Sequence, residues 1–191
     1  MESSMRIIFF GLFLCVNIAA YSQNERFKSL FVFNFTKYVE WPTAYEEGDF
    51  VITILGNSPM YNELLHNVKG KQAGKQSIEV LQAGNISGIR QCHILYIPSQ
   101  QSSLLEAAQK HLAGRPTLVI TEKKGLIQEG ADINIIQTNK KLQYEISPQQ
   151  IENKNLKVSK TLLNVGIIYD TNAPARRIPE LESADETTLP R

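Results

Sequence analysis

The side chains of this 191-residue chain that could do chemistry are few and scattered. Cys92 and His93 are adjacent, and a thiol beside an imidazole is the raw material of a cysteine nucleophile. They open the apolar run ending at Ile97, however, and neighbours on a strand point to opposite faces, so the two could not act together. Gly70-Lys71-Gln72-Ala73-Gly74-Lys75 has the look of a phosphate loop. It is one residue short between its glycines, and it follows a predicted helix where the motif should follow a strand and open a helix. A solvated turn is the expectation. His66, His93 and His111 have no spacing that sets two of them on one face, and a metal site needs several converging ligands. Paired carboxylates such as Glu46-Glu47 fall in a loop, and no GxSxG elbow occurs. These residues point to no catalytic group, no metal and no cofactor.

The beginning of the chain speaks to compartment. Met1 to Ser22 has a positive start at Arg6 and an apolar core from Ile7 to Val16. Ala20-Tyr21-Ser22 supplies small residues at the −3 and −1 sites before Gln23, so residues 1–22 are expected to be a cleaved signal peptide. The core falls short of the roughly 20 apolar residues of a membrane span. Leu14 is the wrong size to precede a lipidated Cys15. The expected product is a soluble periplasmic protein. Its net charge stays near the +1 of the whole chain, because cleavage removes Glu2 and Arg6 together. No polybasic run remains, so nucleic-acid binding has no electrostatic basis. Loss of Cys15 leaves Cys92 alone, with no disulfide possible within one chain; a buried, inert thiol is expected.

The elements follow from pattern and punctuation. Phe27 to Trp41 is expected to be a helix stopped by Pro42. Its predicted buried face is Phe27, Leu30, Phe31, Phe35, Tyr38 and Val39, with Asn34 among them as a buried amide or a ligand-touching one. Phe50–Leu55, Ile78–Leu81, His93–Ile97 and Thr117–Thr121 read as strands. Helices begin at Ser58-Pro59, with Met60, Leu64, Leu65 and Val68 inward, and at Pro98-Ser99, with Leu104, Leu105, Ala108 and Leu112 inward. Alternation of strand and helix argues for a mainly parallel sheet with helices on both sides. Asp132–Gln137 and Leu142–Ser147 are too close for anything but an antiparallel hairpin. Short helices follow Pro148 and Ser159, then the run Ile167 to Tyr169. The fold class is therefore α/β: one three-layer domain over residues 23–169 with a C-terminal hairpin. Residues 170–191, poor in apolar residues, are expected to be a disordered tail.

Taken in order, several segments carry a resemblance. They are Asn34-Phe35-Thr36-Lys37-Tyr38-Val39-Glu40-Trp41-Pro42, Ile54-Leu55-Gly56-Asn57-Ser58-Pro59 and Cys92-His93-Ile94-Leu95-Tyr96-Ile97. Gly114-Arg115-Pro116-Thr117-Leu118-Val119-Ile120, Gly130-Ala131-Asp132-Ile133-Asn134-Ile135, Tyr144-Glu145-Ile146 and Leu156-Lys157-Val158-Ser159 with Leu162-Leu163 complete the set. In this order the chain resembles the YfiR-like family of exported bacterial proteins, from about Phe27 to Tyr169. The resemblance implies a non-enzymatic periplasmic regulator. It implies a homodimer that holds the periplasmic sensor domain of an inner-membrane diguanylate cyclase inactive, so that cyclic-di-GMP and biofilm formation stay low. A sensor histidine kinase is the second candidate partner. The cysteine pairs that carry redox sensing in the best-known member have no counterpart beside Cys92.

Two surfaces are candidates for contact. The hairpin at the end of the sheet is expected to offer a partner edge, with Ile133, Glu145, Ile151 and Tyr169 as partner-binding residues. The competing function is a small-ligand module, with Asn57, Ser58 and Ser99 at the carboxyl ends of the parallel strands as ligand-binding residues. An enzyme of unknown chemistry is the third reading.

Overall fold

The computed structural model describes residues 24–138 and 141–170. The expected signal peptide lies outside these residues, as does all of the expected tail except Asp170. Helix α1 covers residues 24–38. The strands are β1 (Val39–Glu40), β2 (Phe50–Leu55), β3 (Gln72–Ala73), β4 (Gln76–Ala83), β5 (Ile94–Ile97), β6 (Leu118–Thr121), β7 (Ile133–Thr138), β8 (Lys141–Ile146), β9 (Lys157–Val158) and β10 (Ile167–Ile168). The remaining helices are α2 (Met60–Val68), α3 (Leu105–His111), α4 (Pro148–Asn153) and α5 (Lys160–Val165).

Eight strands form one sheet in the order β10-β8-β7-β6-β5-β2-β4-β3. From β4 to β7 every neighbour is parallel. Counted among themselves, these five strands stand in the order 2-1-3-4-5, the doubly wound arrangement with its switch point between β2 and β5. The hairpin β7–β8 is antiparallel, as its short connection requires, with Ile133 opposite Ile146 and Thr138 opposite Lys141. Strand β10 then lies parallel to β8. The three layers are those expected. Ile52, Ile54, Ile94, Tyr96 and Ile120 face α1, α2, α4 and α5. Leu55, Leu95, Ile97 and Val119 face α3 on the other side.

Local signals place the helices. Ser58 Oγ accepts from Met60 N at 3.2 Å at the start of α2, and Ser159 Oγ accepts from Leu162 N at 3.3 Å at the start of α5. Past α4 the chain turns through Asn155, whose φ of 59° is a left-handed conformation that asparagine tolerates. Buried Asp132 takes hydrogen bonds from Val119 N at 2.6 Å and Lys154 Nζ at 2.5 Å, which ties the start of β7 to β6 and α4.

Helix α1 departs from the sequence pattern in two ways. It ends at Tyr38, not at Trp41, because Val39 and Glu40 leave it to pair with Val158 and Lys157. Its buried face is also rotated. Glu25, Ser29, Val32, Phe35, Thr36 and Val39 are buried, while Phe27, Leu30, Asn34 and Tyr38 are exposed. The reason is polar satisfaction. Ser29 Oγ and Thr36 Oγ1 donate to the carbonyls of Arg26 and Phe33, each at 2.7 Å, so these small polar residues can press against the sheet without an unpaired group. Phe35 sits edge-on to Tyr144 of β8 at 5.2 Å between ring centroids, with Phe31 edge-on to the same ring at 5.7 Å. Phe35→Ala is therefore expected to cost about 3–5 kcal/mol in urea unfolding, the range for a buried phenyl ring. Tyr38→Ala, on the exposed face, should stay within about 0.5 kcal/mol. A loss of several kcal/mol at Tyr38 as well as at Phe35 would restore the face read from the periodicity.

Candidate functional site

A doubly wound sheet ordinarily offers a ligand crevice outside the carboxyl ends of the strands at the switch point. Here that end carries a closed ionic cluster. Lys28 of α1 reaches it from above, and its Nζ lies 2.7 Å from Glu25 Oε1 and 2.5 Å from Glu122 Oε2. Glu122 directly follows β6. Its Oε2 also accepts from the Tyr96 hydroxyl at 2.5 Å, and its Oε1 accepts from Ser99 N and Oγ at 2.8 and 2.9 Å. Burial works to raise Glu122, but the bonds from Lys28 and Tyr96 outweigh it and hold the carboxyl below its usual range. Burial likewise works to lower Lys28, and its two carboxylates reverse the sign and hold it up. For Glu25 burial wins, and its carboxyl is pushed up despite Lys28.

The residues expected to bind a ligand sit around this cluster with their polar atoms engaged. Ser58 is buried and caps α2; Ser99 is exposed, but its N and Oγ both donate to Glu122; Asn57 is exposed. Gly56, with φ of 76°, packs under Gln101, whose Nε2 lies 2.7 Å from where a Cβ would stand. Gln82 Nε2 donates to the Gly56 carbonyl at 2.7 Å. The sequence reading missed Lys28, Tyr96 and Glu122. A signal was present in Glu122, a carboxylate directly after four buried strand residues.

The hairpin edge also differs from the expectation. Strand β8 is covered at its end alone, where Ile167 and Ile168 of β10 pair with Glu145 and Ile146; residues 141–144 have no strand partner on that side among the described residues. Ile133 and Ile151 are fully buried in the core, so no partner can touch them in the folded domain. Glu145 is half-buried, and its Oε2 accepts from Asn134 Nδ2 at 2.8 Å. Asn134 Oδ1 in turn accepts from Thr121 Oγ1 at 2.7 Å, which makes a polar row across β6, β7 and β8. Tyr169 is half-buried, with its backbone N donating to Ile146 O at 2.8 Å. The apolar surface that the edge does present is Val165, Ile167 and Ile168, exposed by 75%, 45% and 57%. The sequence hid it, because a short apolar run at a domain end reads as core.

His93 is buried with both ring nitrogens used. Nδ1 accepts from Val51 N at 2.9 Å, and Nε2 lies 2.8 Å from Tyr45 O, so the ring is neutral with its proton on Nε2. Burial keeps its pKa down. Among the described residues no group of three or more His, Cys, Asp or Glu is arranged to hold a metal, and no helix is long and apolar enough to cross a membrane.

Cys92 is buried and unpaired by disulfide. Burial pushes its thiol up to about 11, against weaker opposition from Thr53 and Thr117. The native protein should therefore react with a thiol reagent at neutral pH far more slowly than the urea-unfolded chain. Equal rates would mean that the strand layer opens readily.

Removing Lys28 leaves a buried carboxylate without its cation. Lys28→Met is expected to cost about 3–5 kcal/mol, the range for breaking a buried pair from one side. Adding Glu122→Gln should recover part of that loss, since it removes the stranded charge. Additive losses in chemical unfolding would show that the two side chains do not depend on each other.

Residues 25–166 match the family described as YfiR/HmsC-like (DUF4154), and the chain belongs to that family. No curated protein matches the chain. The family is a regulatory, non-catalytic one, periplasmic in general, whose theme is cyclic-di-GMP signalling together with membrane signalling proteins.

Proposed function

We propose that this YfiR/HmsC-like protein is exported, loses residues 1–22, and represses an inner-membrane diguanylate cyclase by binding its periplasmic sensor domain. It does so without catalysis, as a monomer or homodimer. Family membership is the observation that carries this reading. The surface that best supports it is the edge formed by α5 and β10. Val165, Ile167 and Ile168 offer the exposed apolar anchors, and β10 has a free backbone edge. Tyr169 and Glu145 flank these residues, the latter tethered to Asn134. Ile133 and Ile151 act from beneath, by fixing the position of β7 and α4. A small-ligand module at Asn57, Ser58 and Ser99 is less well supported, because Ser58 and Ser99 are already bonded within the chain.

Ile168→Arg is the cleanest test, since Glu145→Lys would also break the polar row. The variant should unfold within about 0.5 kcal/mol of the parent, as exposed positions do. Crosslinking in cells should then recover the membrane partner at least about tenfold less, the loss expected for an anchor worth more than 1.4 kcal/mol, and cyclic-di-GMP should rise. Normal recovery and normal repression would place the contact on another surface.

A further inference from the structure

The rotation of α1 leaves a strip of apolar side chains without protein cover among the described residues. Phe27, Leu30 and Tyr38 are exposed along one side of α1, the first by 49%. Cations border this strip on both flanks. Arg26 shares a cleft with Leu30, Lys69 and Lys71 on the α2 side. Lys37 Nζ and Lys71 Nζ stand 4.4 and 4.5 Å from the centroid of the Phe33 ring, so one ring holds two ammonium groups at the surface. On the hairpin side an open groove of about 570 Å³ runs between α1 and β8. Phe27, Leu30, Phe31 and Leu142 line it, and Lys141 is the one charged residue in its lining. Glu63 is the carboxylate in the opposite cleft. These cations are far apart in sequence, so no basic run announces them.

We propose that this strip seats the protein on an anionic phospholipid surface. The arrangement is that of a helix lying in a membrane interface, with aromatic and aliphatic side chains along one face and lysine and arginine at its borders. The fifteen residues of α1 make a convex ridge roughly 22 Å long at 1.5 Å per residue. A ridge suits a deformable lipid surface, and the open groove beside it sets Phe27, Leu30, Phe31 and Leu142 where acyl chains would lie. Charge complementarity selects the lipid: Arg26, Lys69, Lys71 and Lys141 stand against Glu63 along the strip, and at its Lys37 end Glu40 and Glu46 share the cleft with Lys37 and Lys75, a balance that matches headgroups of net negative charge. The strip lies apart from the α5–β10 edge, and the inference stands whether or not that edge binds a sensor.

The test is co-sedimentation of the full exported protein with vesicles of phosphatidylglycerol and phosphatidylcholine in equal parts, against vesicles of phosphatidylcholine alone. Binding to the mixed vesicles should be strong at low salt, weaken as salt rises, and be about tenfold weaker or more without phosphatidylglycerol. Lys37→Gln with Lys71→Gln should reduce it about tenfold or more, at roughly 1 kcal/mol per cation. Because those lysines cover Phe33, Lys69→Gln with Lys141→Gln serves as a second pair with no such contact, and it should give a similar loss. Phe27→Ser should weaken binding at all salt concentrations. Equal binding to both vesicle types, no binding to either, or full binding by both lysine pairs would overturn the proposal. So would loss of a crosslinked protein partner from the lysine variants when vesicles do not bind, which would make the strip a protein interface.

Discussion

One ammonium closes the end of the sheet where a doubly wound fold usually keeps its ligand site. Lys28 sits between Glu25 and Glu122, and Glu122 also gathers Tyr96 and Ser99 from β5 and the turn after it. Each group here would be costly to bury alone; Lys28 offsets Glu122, and Glu25 is pushed toward its neutral form by burial. The cluster joins α1 to β5 and β6, so the position of the first helix is set by chemistry at the far end of the sheet. Removal of any member leaves a buried charge or acceptor behind, which makes the arrangement resistant to piecemeal change. The consequence for function is direct. With its carboxyl end occupied by its own helix, the domain has its outer surfaces left for recognition.

Those surfaces are shaped by how the sheet ends. At one edge β3 covers only Gln76 and Ser77 of β4, and residues 78–83 of β4 have no strand partner on their outer side among the described residues. At the other edge β10 is equally short, but it is apolar and exposed. Gly166 lets it lie close to β8: a Cβ there would meet the Tyr144 ring and stand 3.0 Å from Ile146 Cγ2. That close approach, and not a left-handed turn, is what the position asks of glycine. An edge so short, and so weakly anchored on its outer side, is the part of the sheet that can adjust to a partner at least cost.

The strands were legible because they are buried on both faces and read as unbroken apolar runs, as in Phe50–Leu55 and Ile94–Ile97. The hairpin and the helix starts were legible because connection length, serine and proline act locally. What escaped was set by distant partners. The face of α1 was misread because periodicity weighs Phe27 and Tyr38 above Ser29 and Thr36, and it cannot see that the latter two bond their own backbone. Glu145 looked like a free surface charge because its tie to Asn134 is a cross-strand contact fixed only by register. Ile133 looked like a contact residue, and the same register turns it into the core; Ile151 joins the same core from α4. The lysines around Phe33 come from α1 and from the turn before β3, and only folding brings them to one ring.

Tyr144 links these surfaces. Its ring packs edge-on to Phe31 and Phe35 of α1, and its hydroxyl donates to Leu162 O of α5 at 2.7 Å. Gly166, which leads into β10, rests against the same ring. So the helix bearing the exposed aromatic strip and the segment bearing Ile167 and Ile168 are braced on opposite sides of one buried side chain. A packed interior transmits such a constraint because it has few voids to absorb a shift. Helix α1 is thus held by the Lys28 cluster at one end of the sheet and by the Tyr144 ring, which also touches α5 and the residue before β10. The exposed side of α1 and the edge at β10 therefore share one packing partner. The physical link between them is this aromatic contact and the single hydrogen bond to Leu162.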